Sequence, residues 1–119
     1  MKKLAKREEE LMHVLWSLEK AFVKEIIAEL PEPKPHYNTV STIIRILEEK
    51  GFVGHEPFGN AHRYYALIPK EVYQNKAVNE VLKSYFDNSF PKMVAHFAKA
   101  EKISPDELEE IIRLIKKQS

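Results

Sequence analysis

The side chains best suited to chemistry lie in one short run near the middle of the chain. At helical spacing, one side of this run is shared by Asn38, Ser41, Thr42, Arg45 and Glu49, and the first four lie in its N-terminal turns. Their amide, hydroxyl and guanidinium groups can hydrogen-bond to the base edges and the phosphates of DNA. A helix that only faces water usually carries Lys and Glu there. On periodicity alone, a DNA-binding face and a solvated polar face are equally good interpretations.

The apolar residues of the same run predict the helix that carries this face. An apolar stripe with i, i+3, i+4, i+7 spacing is formed by Val40, Ile43, Ile44 and Leu47. Asn38 is predicted to be the N-cap, because its side-chain oxygen can accept the free N–H groups of the next turn. Lys50 followed by Gly51 is typical of a helix end. The predicted helix therefore spans residues 38–50.

Composition excludes several kinds of active site. The 119 residues include no cysteine, and none of the three glycines lies in a phosphate-binding loop pattern. The five histidines show neither an HExxH motif nor i, i+4 spacing. No side chain stands out as a nucleophile paired with a base. We therefore expect no catalytic residues, no metal site and no cofactor.

Two predicted helices precede the central one. Apolar residues at helical spacing indicate a first helix over residues 6–18 and a second over residues 23–30. The second helix must end before Pro31, Pro33 and Pro35, whose rings do not fit a helix interior. A short stiff loop then leads to the central helix.

A β-hairpin is predicted after the central helix. Residues 52–56 and 62–67 are short runs of aromatic and β-branched residues, and turn formers at 57–60 separate them by a longer than minimal loop. Three helices followed by a two-stranded hairpin is the order of a winged helix-turn-helix. In that fold the third helix enters the DNA major groove and the hairpin lies beside it as the wing.

Three further amphipathic helices are predicted at the C-terminal end. They begin near Pro69, Phe90 and Pro105, and Ser104 with Glu107 forms a capping box for the last. The predicted fold class is mainly α with a small β-hairpin. The predicted domains are a winged helix over 1–68 and a helical region over 69–119. The chain has no run of 18 apolar residues and no apolar signal core, so we expect it in the cytoplasm.

The motifs resemble those of a known family. HYNTVST at residues 36–42, followed by RILEEKGFV at 45–53, closely resembles the signature of the penicillinase-repressor family, the BlaI/MecI/CopY group. The resemblance continues through Gly59 and residues 63–67. It also includes Leu15-Trp16 in the first helix, and the C-terminal helices fit the family as well.

This resemblance implies a homodimeric bacterial repressor that binds double-stranded, dyad-symmetric operator DNA through its winged helix and dimerises through its C-terminal helices. In the best-known systems of the family, a membrane sensor-protease pathway cuts the repressor and releases β-lactamase genes. The bond cut there is Asn-Phe in the middle C-terminal helix, and the corresponding pair here is His96-Phe97. The copper-responsive branch uses a C-terminal cysteine cluster, which this chain lacks.

The resemblance also adds to the set of candidate DNA contacts. The expected DNA-binding residues are Tyr37, Asn38, Thr39, Ser41, Thr42, Arg45, Lys50 and Arg63. For Arg45 the alternative is an ion pair with Glu49 at i+4. For Thr39 and Thr42 the alternative is capping of the helix N-terminus and simple exposure. Lys50 could equally be a C-cap cation, Arg63 a surface residue of a strand, and Tyr37 a half-buried aromatic residue.

The C-terminal helices are too few to build a core alone, so we expect a second copy of the chain to cover their apolar stripes. The expected dimerisation residues are Val81, Leu82, Tyr85, Met93, Phe97, Leu108, Ile111, Ile112 and Ile115. Packing back onto the winged helix of the same chain is the alternative.

The near-zero net charge allows a second functional class, a winged helix that binds a protein partner. The formal net charge is +1, from 19 Lys and Arg against 18 Asp and Glu. Residues 1–68 hold ten cations and ten acids, so this half is neutral. A winged helix that binds a protein partner and no DNA is therefore the alternative function.

Overall fold

A computed structural model describes residues 1–118, apart from the side chains of Ile115 and Gln118. Within that part of the chain, the elements are α1 (Lys6–Leu18), β1 (Lys20–Ala21), α2 (Val23–Glu29), α3 (Tyr37–Glu49), β2 (Val53–Phe58), β3 (Ala61–Ala66), α4 (Lys70–Tyr85), α5 (Phe90–Lys99) and α6 (Pro105–Gln118). This order confirms the predicted winged helix-turn-helix followed by three helices. No helix among the described residues is long and apolar enough to cross a membrane.

The small sheet contains one strand that the sequence did not predict. Its order is β1-β3-β2, with both pairings antiparallel. In β1, Lys20 pairs with Tyr65 and Ala21 pairs with Tyr64, so the predicted two-stranded hairpin is part of a three-stranded sheet. A strand of two residues is too short to show an alternating pattern, which is why β1 has no signal in the sequence.

The turn of the hairpin is tighter than predicted. Phe58 pairs with Ala61, and Pro57 pairs with His62, so both residues lie in the strand and not in a loop. Only Gly59 and Asn60 connect β2 to β3. Gly59 has a φ of +63°, a conformation that glycine adopts without a Cβ clash and that two-residue hairpin turns require. The predicted longer loop is therefore wrong.

The start of α3 also differs from the prediction. The helix begins at Tyr37, its N-cap residue is His36, and no side chain caps it. Asn38 lies inside the first turn, where its carbonyl oxygen accepts a hydrogen bond from the Thr42 hydroxyl at 2.9 Å. The N-cap prediction for Asn38 is wrong, because the helix starts one residue earlier and His36 is the N-cap. The His36 carbonyl accepts the first helical hydrogen bond, from Val40 N–H at 3.1 Å.

The core lies in a first compact unit, Met1–Gln74. Its largest fully buried side chains are Met12, Leu15, Ile26, Val40, Ile44, Leu47, Phe52 and Val53. Two side chains extend the unit past residue 68: Trp16 Nε1 donates to the Ile68 carbonyl at 2.9 Å, and the Tyr73 hydroxyl donates to Glu9 at 2.6 Å. Because Tyr73 packs against this core, the unit ends inside α4.

The second unit begins at Asn75. Leu82 is the single buried residue among its described residues. The predicted capping box of α6 is confirmed: Ser104 N–H donates to Glu107 Oε1 at 3.0 Å, and Glu107 N–H donates to Ser104 Oγ at 3.1 Å. Hydrogen bonds within each helix and at its ends therefore define the second unit more than a buried core does.

Candidate nucleic-acid interface

The side of α3 away from the core carries the predicted polar residues. Val40, Ile44 and Leu47 are buried, which turns the opposite side of the helix toward solvent. Asn38, Thr42 and Arg45 are exposed, whereas Thr39 and Ser41 are half-buried. We call Asn38, Ser41, Thr42 and Arg45 the polar face of α3. Ile46 is also exposed near this face, and its apolar side chain was not among the predicted contacts.

Arg45 does not form the ion pair that was its alternative role. Its Nε donates to the Ser41 carbonyl at 3.4 Å, at the long limit of a hydrogen bond. Within the described part of the chain, no ion pair joins Arg45 to Glu49. The terminal nitrogens of the guanidinium are therefore available for an outside acceptor such as a phosphate or a guanine edge.

A cleft of about 590 Å³ opens beside the polar face, between α2, the start of α3 and the β2–β3 hairpin, which we call the wing. Its lining includes Tyr37 and Ser41 from α3 and Lys24 from α2. The wing contributes aromatic side chains and an imidazole, from Phe58, His62 and Tyr64. Except for Tyr37 and Ser41, these lining residues were absent from the predicted DNA contacts. The alternation of side chains along β3, which places His62 and Tyr64 on one face, is the sequence signal that could have indicated these wing residues.

Tyr64 forms the buried end of this cleft, with 8% of its surface exposed. Burial raises the pKa of its hydroxyl, and the nearby negative charge of Glu48 raises it further. The hydroxyl therefore stays protonated near neutral pH and can donate a hydrogen bond. Of the two neighbouring tyrosines of β3, Tyr64 is buried and Tyr65 is half-buried.

The wing has two faces of different character. The register places His55, His62 and Tyr64 on one face, and Glu56, Arg63 and Tyr65 on the other. On the first face, the rings of His55 and His62 stack in parallel with centroids 4.2 Å apart. His55 Nδ1 is hydrogen-bonded to the Glu48 carboxylate, so this face is tied to α3. A face of the wing that contacts α3 can approach the same ligand as the polar face of α3.

Arg63 lies on the other face, where it is paired with an acid. Its Nε and Nη2 donate to Glu56 Oε1 at 2.9 and 2.7 Å, and its guanidinium lies 5.2 Å from the centre of the Phe58 ring. The hydrogen bonds from Arg63 lower the pKa of the Glu56 carboxyl. Lys20 approaches the same oxygen at 3.4 Å. The predicted DNA contact of Arg63 stays a prediction.

Lys50 has a partner inside the protein. Its Nζ donates to Glu8 Oε1 at 2.8 Å and to the Lys3 carbonyl at 3.1 Å. Burial raises the pKa of the Glu8 carboxyl, but hydrogen bonds from Lys50 and from Ala5 N–H outweigh burial and leave it lowered. Lys50 thus ties the end of α3 to the start of α1, and its DNA contact stays a prediction.

The predicted dimerisation residues differ in exposure. Those at least 39% exposed are Val81, Tyr85, Phe97, Ile111 and Ile112. Met93 and Leu108 are half-buried, and Leu82 is buried in the single chain. The side chain of Ile115 lies outside the described residues. His96 is exposed, and its ring contacts Phe86 and Phe97 with centroids 5.5 Å apart in each pair.

Metal binding has no candidate cluster among residues 1–118. In that part of the chain, no group of three or more His, Asp or Glu side chains could hold a metal ion.

Known proteins are similar to this chain in sequence and in fold. The family model described as "Penicillinase repressor" matches residues 4–117. The chain is 26% identical over 116 residues to the methicillin resistance regulatory protein MecI of Staphylococcus aureus strain N315, covering 97% of this chain and 94% of MecI. It is 24% identical over 105 residues to a penicillinase repressor of Staphylococcus aureus, covering 87% of this chain and 83% of that protein. The solution structure of the DNA-binding domain of the repressor BlaI matches with a TM-score of 0.52 and 28% identity, covering 61% of this chain and 94% of that domain.

Proposed function

The chain belongs to the penicillinase repressor family, and from this premise we propose that it represses transcription as a homodimer on a dyad-symmetric operator. The family consists of DNA-binding winged-helix repressors, which are not enzymes. This chain shares that general function. The dimer, the operator symmetry and the contact residues are the proposed part.

The polar face of α3 is the observation that carries the proposal. Its exposed amide, hydroxyl and guanidinium groups lie opposite the buried side chains of Val40, Ile44 and Leu47, so packing of α3 on the core turns these groups toward solvent. We assign direct DNA contacts to Tyr37, Asn38, Thr39, Ser41, Thr42 and Arg45. Arg63 on the wing would contact a DNA phosphate. Lys50 would contact phosphate by exchanging its present partner, Glu8, for a phosphate oxygen.

The dimer is proposed for residues 69–119 and DNA binding for residues 1–68. Exposed apolar side chains on α4, α5 and α6 support this division, because water contact with Tyr85, Phe97 and Ile112 is unfavourable and a second copy could remove it. Joining two winged helices makes the second half-site contact effectively intramolecular. This raises apparent affinity on the order of 10²–10⁴-fold.

We also propose regulation by proteolysis, which the best-known systems of the family use. The proposed cleavage point is His96-Phe97, which lies within α5 with both side chains exposed. A cut there would separate α6 and the end of α5 from the rest of the proposed dimerisation region. The proposed partner is a sensor-protease pathway, and the proposed targets are resistance genes of the β-lactamase type. The repressor would work in the cytoplasm, where a bacterial operator lies.

The decisive experiment is selection of binding sites by the full-length protein from a library of randomised duplexes. We expect an inverted repeat whose half-sites are about one helical turn, or a multiple, apart. An enriched single half-site without symmetry would contradict the dimeric arrangement. Failure to enrich any sequence, by a protein that is folded, would favour the protein-interaction alternative.

A further inference from the structure

The stacked histidines of the wing form a polar cluster that the proposed DNA contacts do not use. His55 and His62 come from neighbouring strands, with ring planes only 4° from parallel and centroids 4.2 Å apart. At one end of the stack, His55 is hydrogen-bonded to Glu48 of α3. At the other end, His62 is exposed and lines the cleft beside the polar face of α3. The stack therefore runs from a fixed carboxylate to an open cleft.

The stack brings two imidazole rings together beside a single carboxylate, that of Glu48. Histidine is the side chain whose charge ordinarily changes between about pH 5 and 8. Two protonated rings this close would repel each other unless negative charge lies near each of them. Glu48 supplies that charge for His55. Among the described residues, no carboxylate lies within ion-pair distance of His62, so a negative group beside its ring would have to enter through the cleft.

The remaining charged and titratable groups around the stack complete this electrostatic setting. Tyr64 packs edge-on against both rings, with centroids 5.8 and 6.2 Å away. Its hydroxyl stays neutral, because burial raises its pKa. Tyr37 of α3 lines the same cleft, as do Lys24 and Glu25 of α2, which carry opposite charges. The positive charge of Arg45 on α3 is close enough to Tyr64 to act against the rise of its pKa. A DNA phosphate entering the cleft would be the negative group that His62 lacks.

We propose that His62 is a phosphate contact of the wing whose DNA binding takes up a proton, and that His55 is its positioning residue. This inference rests on the proposed DNA-binding function. The phosphate at one end of the stack and Glu48 at the other then stabilise a charge on each ring. DNA affinity rises as pH falls, because the phosphate favours the charged form of His62. His55 holds the ring of His62 in place and, when charged, opposes its protonation.

The test is the affinity of the full-length protein for a rhodamine-labelled, mixed-sequence duplex of about 30 base pairs, long enough for two half-sites. Anisotropy is measured at low salt from about pH 5.5 to 8.5, which spans the histidine range. Wild-type affinity is expected to rise by up to about tenfold per pH unit, the limit for one linked proton. His62→Gln removes most of this dependence, and His62→Lys binds tightly at every pH.

His55→Gln separates a positioning role from a merely structural one. Losing the neighbouring charge moves the midpoint of the pH profile upward, whereas a structural defect alone would lower affinity equally at every pH. His13→Gln, on α1, is the matched control and keeps the wild-type profile. A His62→Gln protein with the wild-type profile overturns the proposal, and so does a wild-type profile that is flat. If the folded protein binds no duplex at any pH, the repressor function itself fails and this inference with it.

Discussion

The two compact units of the chain use their apolar residues in opposite ways. In Met1–Gln74, Ile44, Leu47 and Phe52 are fully buried at the junction of helices and sheet. In the unit that begins at Asn75, Tyr85 is 79% exposed and Ile112 is 50% exposed, on helices of similar length. The first unit therefore has its own core. The second presents apolar faces whose burial requires a further surface.

The polar contacts of the two units differ in the same way. In the first unit, side-chain bonds join residues far apart in sequence, such as Lys50 to Glu8 and Tyr73 to Glu9, separated by 42 and 64 positions. In the described part of the second unit, Ser104 with Glu107 and Lys92 with Asp87 are three and five positions apart. Long-range bonds specify tertiary structure, whereas local bonds specify only helix ends. The comparison indicates that the first unit has the long-range contacts it needs to fold by itself, whereas the exposed apolar side chains of the second unit support the proposed dimer.

The largest expected effect comes from charging an apolar face of the second unit. Ile112→Asp should prevent dimerisation and weaken operator binding on the order of 10²–10⁴-fold, because two linked half-site contacts become separate. Light scattering measures the oligomeric state, and anisotropy measures affinity for the selected operator. Lys117→Asp adds a carboxylate on the polar side of α6 and is the control. A dimeric Ile112→Asp protein with wild-type affinity would contradict a dimer interface on the exposed apolar face of α6.

A pair of phenylalanines tests the difference in burial directly. Phe52→Ala should lower the free energy of unfolding by about 3–5 kcal/mol, since Phe52 is fully buried and leaves a cavity. Phe90→Ala should change it by less than about 1 kcal/mol, since Phe90 is 55% exposed. Urea titration is followed by fluorescence of Trp16, the only tryptophan, for the first unit and by far-ultraviolet circular dichroism for the helices of both units. Equal losses in the two variants would contradict separate cores.

Arg45→Ala should affect DNA binding and leave the second unit unchanged. We expect a loss of about 1–3 kcal/mol in operator affinity, with relaxed preference at one base if the guanidinium is bidentate to a guanine. The protein should remain dimeric by light scattering. Arg63→Ala is the matched variant, and its loss should be nearly equal for all sequences, because a phosphate contact does not read bases. Unchanged affinity for every duplex would remove Arg45 from the interface.

The smallest effect concerns the carboxylate that joins α1 to α3. Since Lys50 and Ala5 N–H lower the pKa of Glu8 in the folded state, its contribution to stability is present above the unfolded value near 4.5 and is lost as pH falls through the lower folded value. Glu8→Gln should cost on the order of 1 kcal/mol near neutral pH.

The difference between Glu8→Gln and wild type should shrink toward zero in acid, when followed by Trp16 fluorescence. Glu107→Gln is the control in the second unit. Hydrogen bonds from Ser104 also lower the pKa of Glu107, but its loss should leave the Trp16 signal unchanged. A Glu8→Gln deficit that persists at low pH would assign the effect to packing and not to charge.

Much of the fold could be predicted from local patterns. The bounds of α1, residues 6–18, agree with the structure, and so do the glycine after α3 and the capping box of α6. The apolar stripe of α3 predicted which side is buried, and therefore where its polar face lies. These features depend on side chains within a turn or two of one another, which is why periodicity and cap chemistry suffice.

The remaining features depend on contacts between distant segments. No local pattern indicates that Lys20 extends the sheet, that Lys50 meets Glu8, or that Arg63 is held by Glu56. Residue spacing likewise did not reveal the stack of His55 on His62, because strand register and the twist of the hairpin bring those rings together. The sequence determined the elements and their apolar faces, since these follow from neighbouring residues. Only the tertiary structure decided which charged groups are paired and which remain available, because burial and partner distance are set by the packing of segments far apart in the chain.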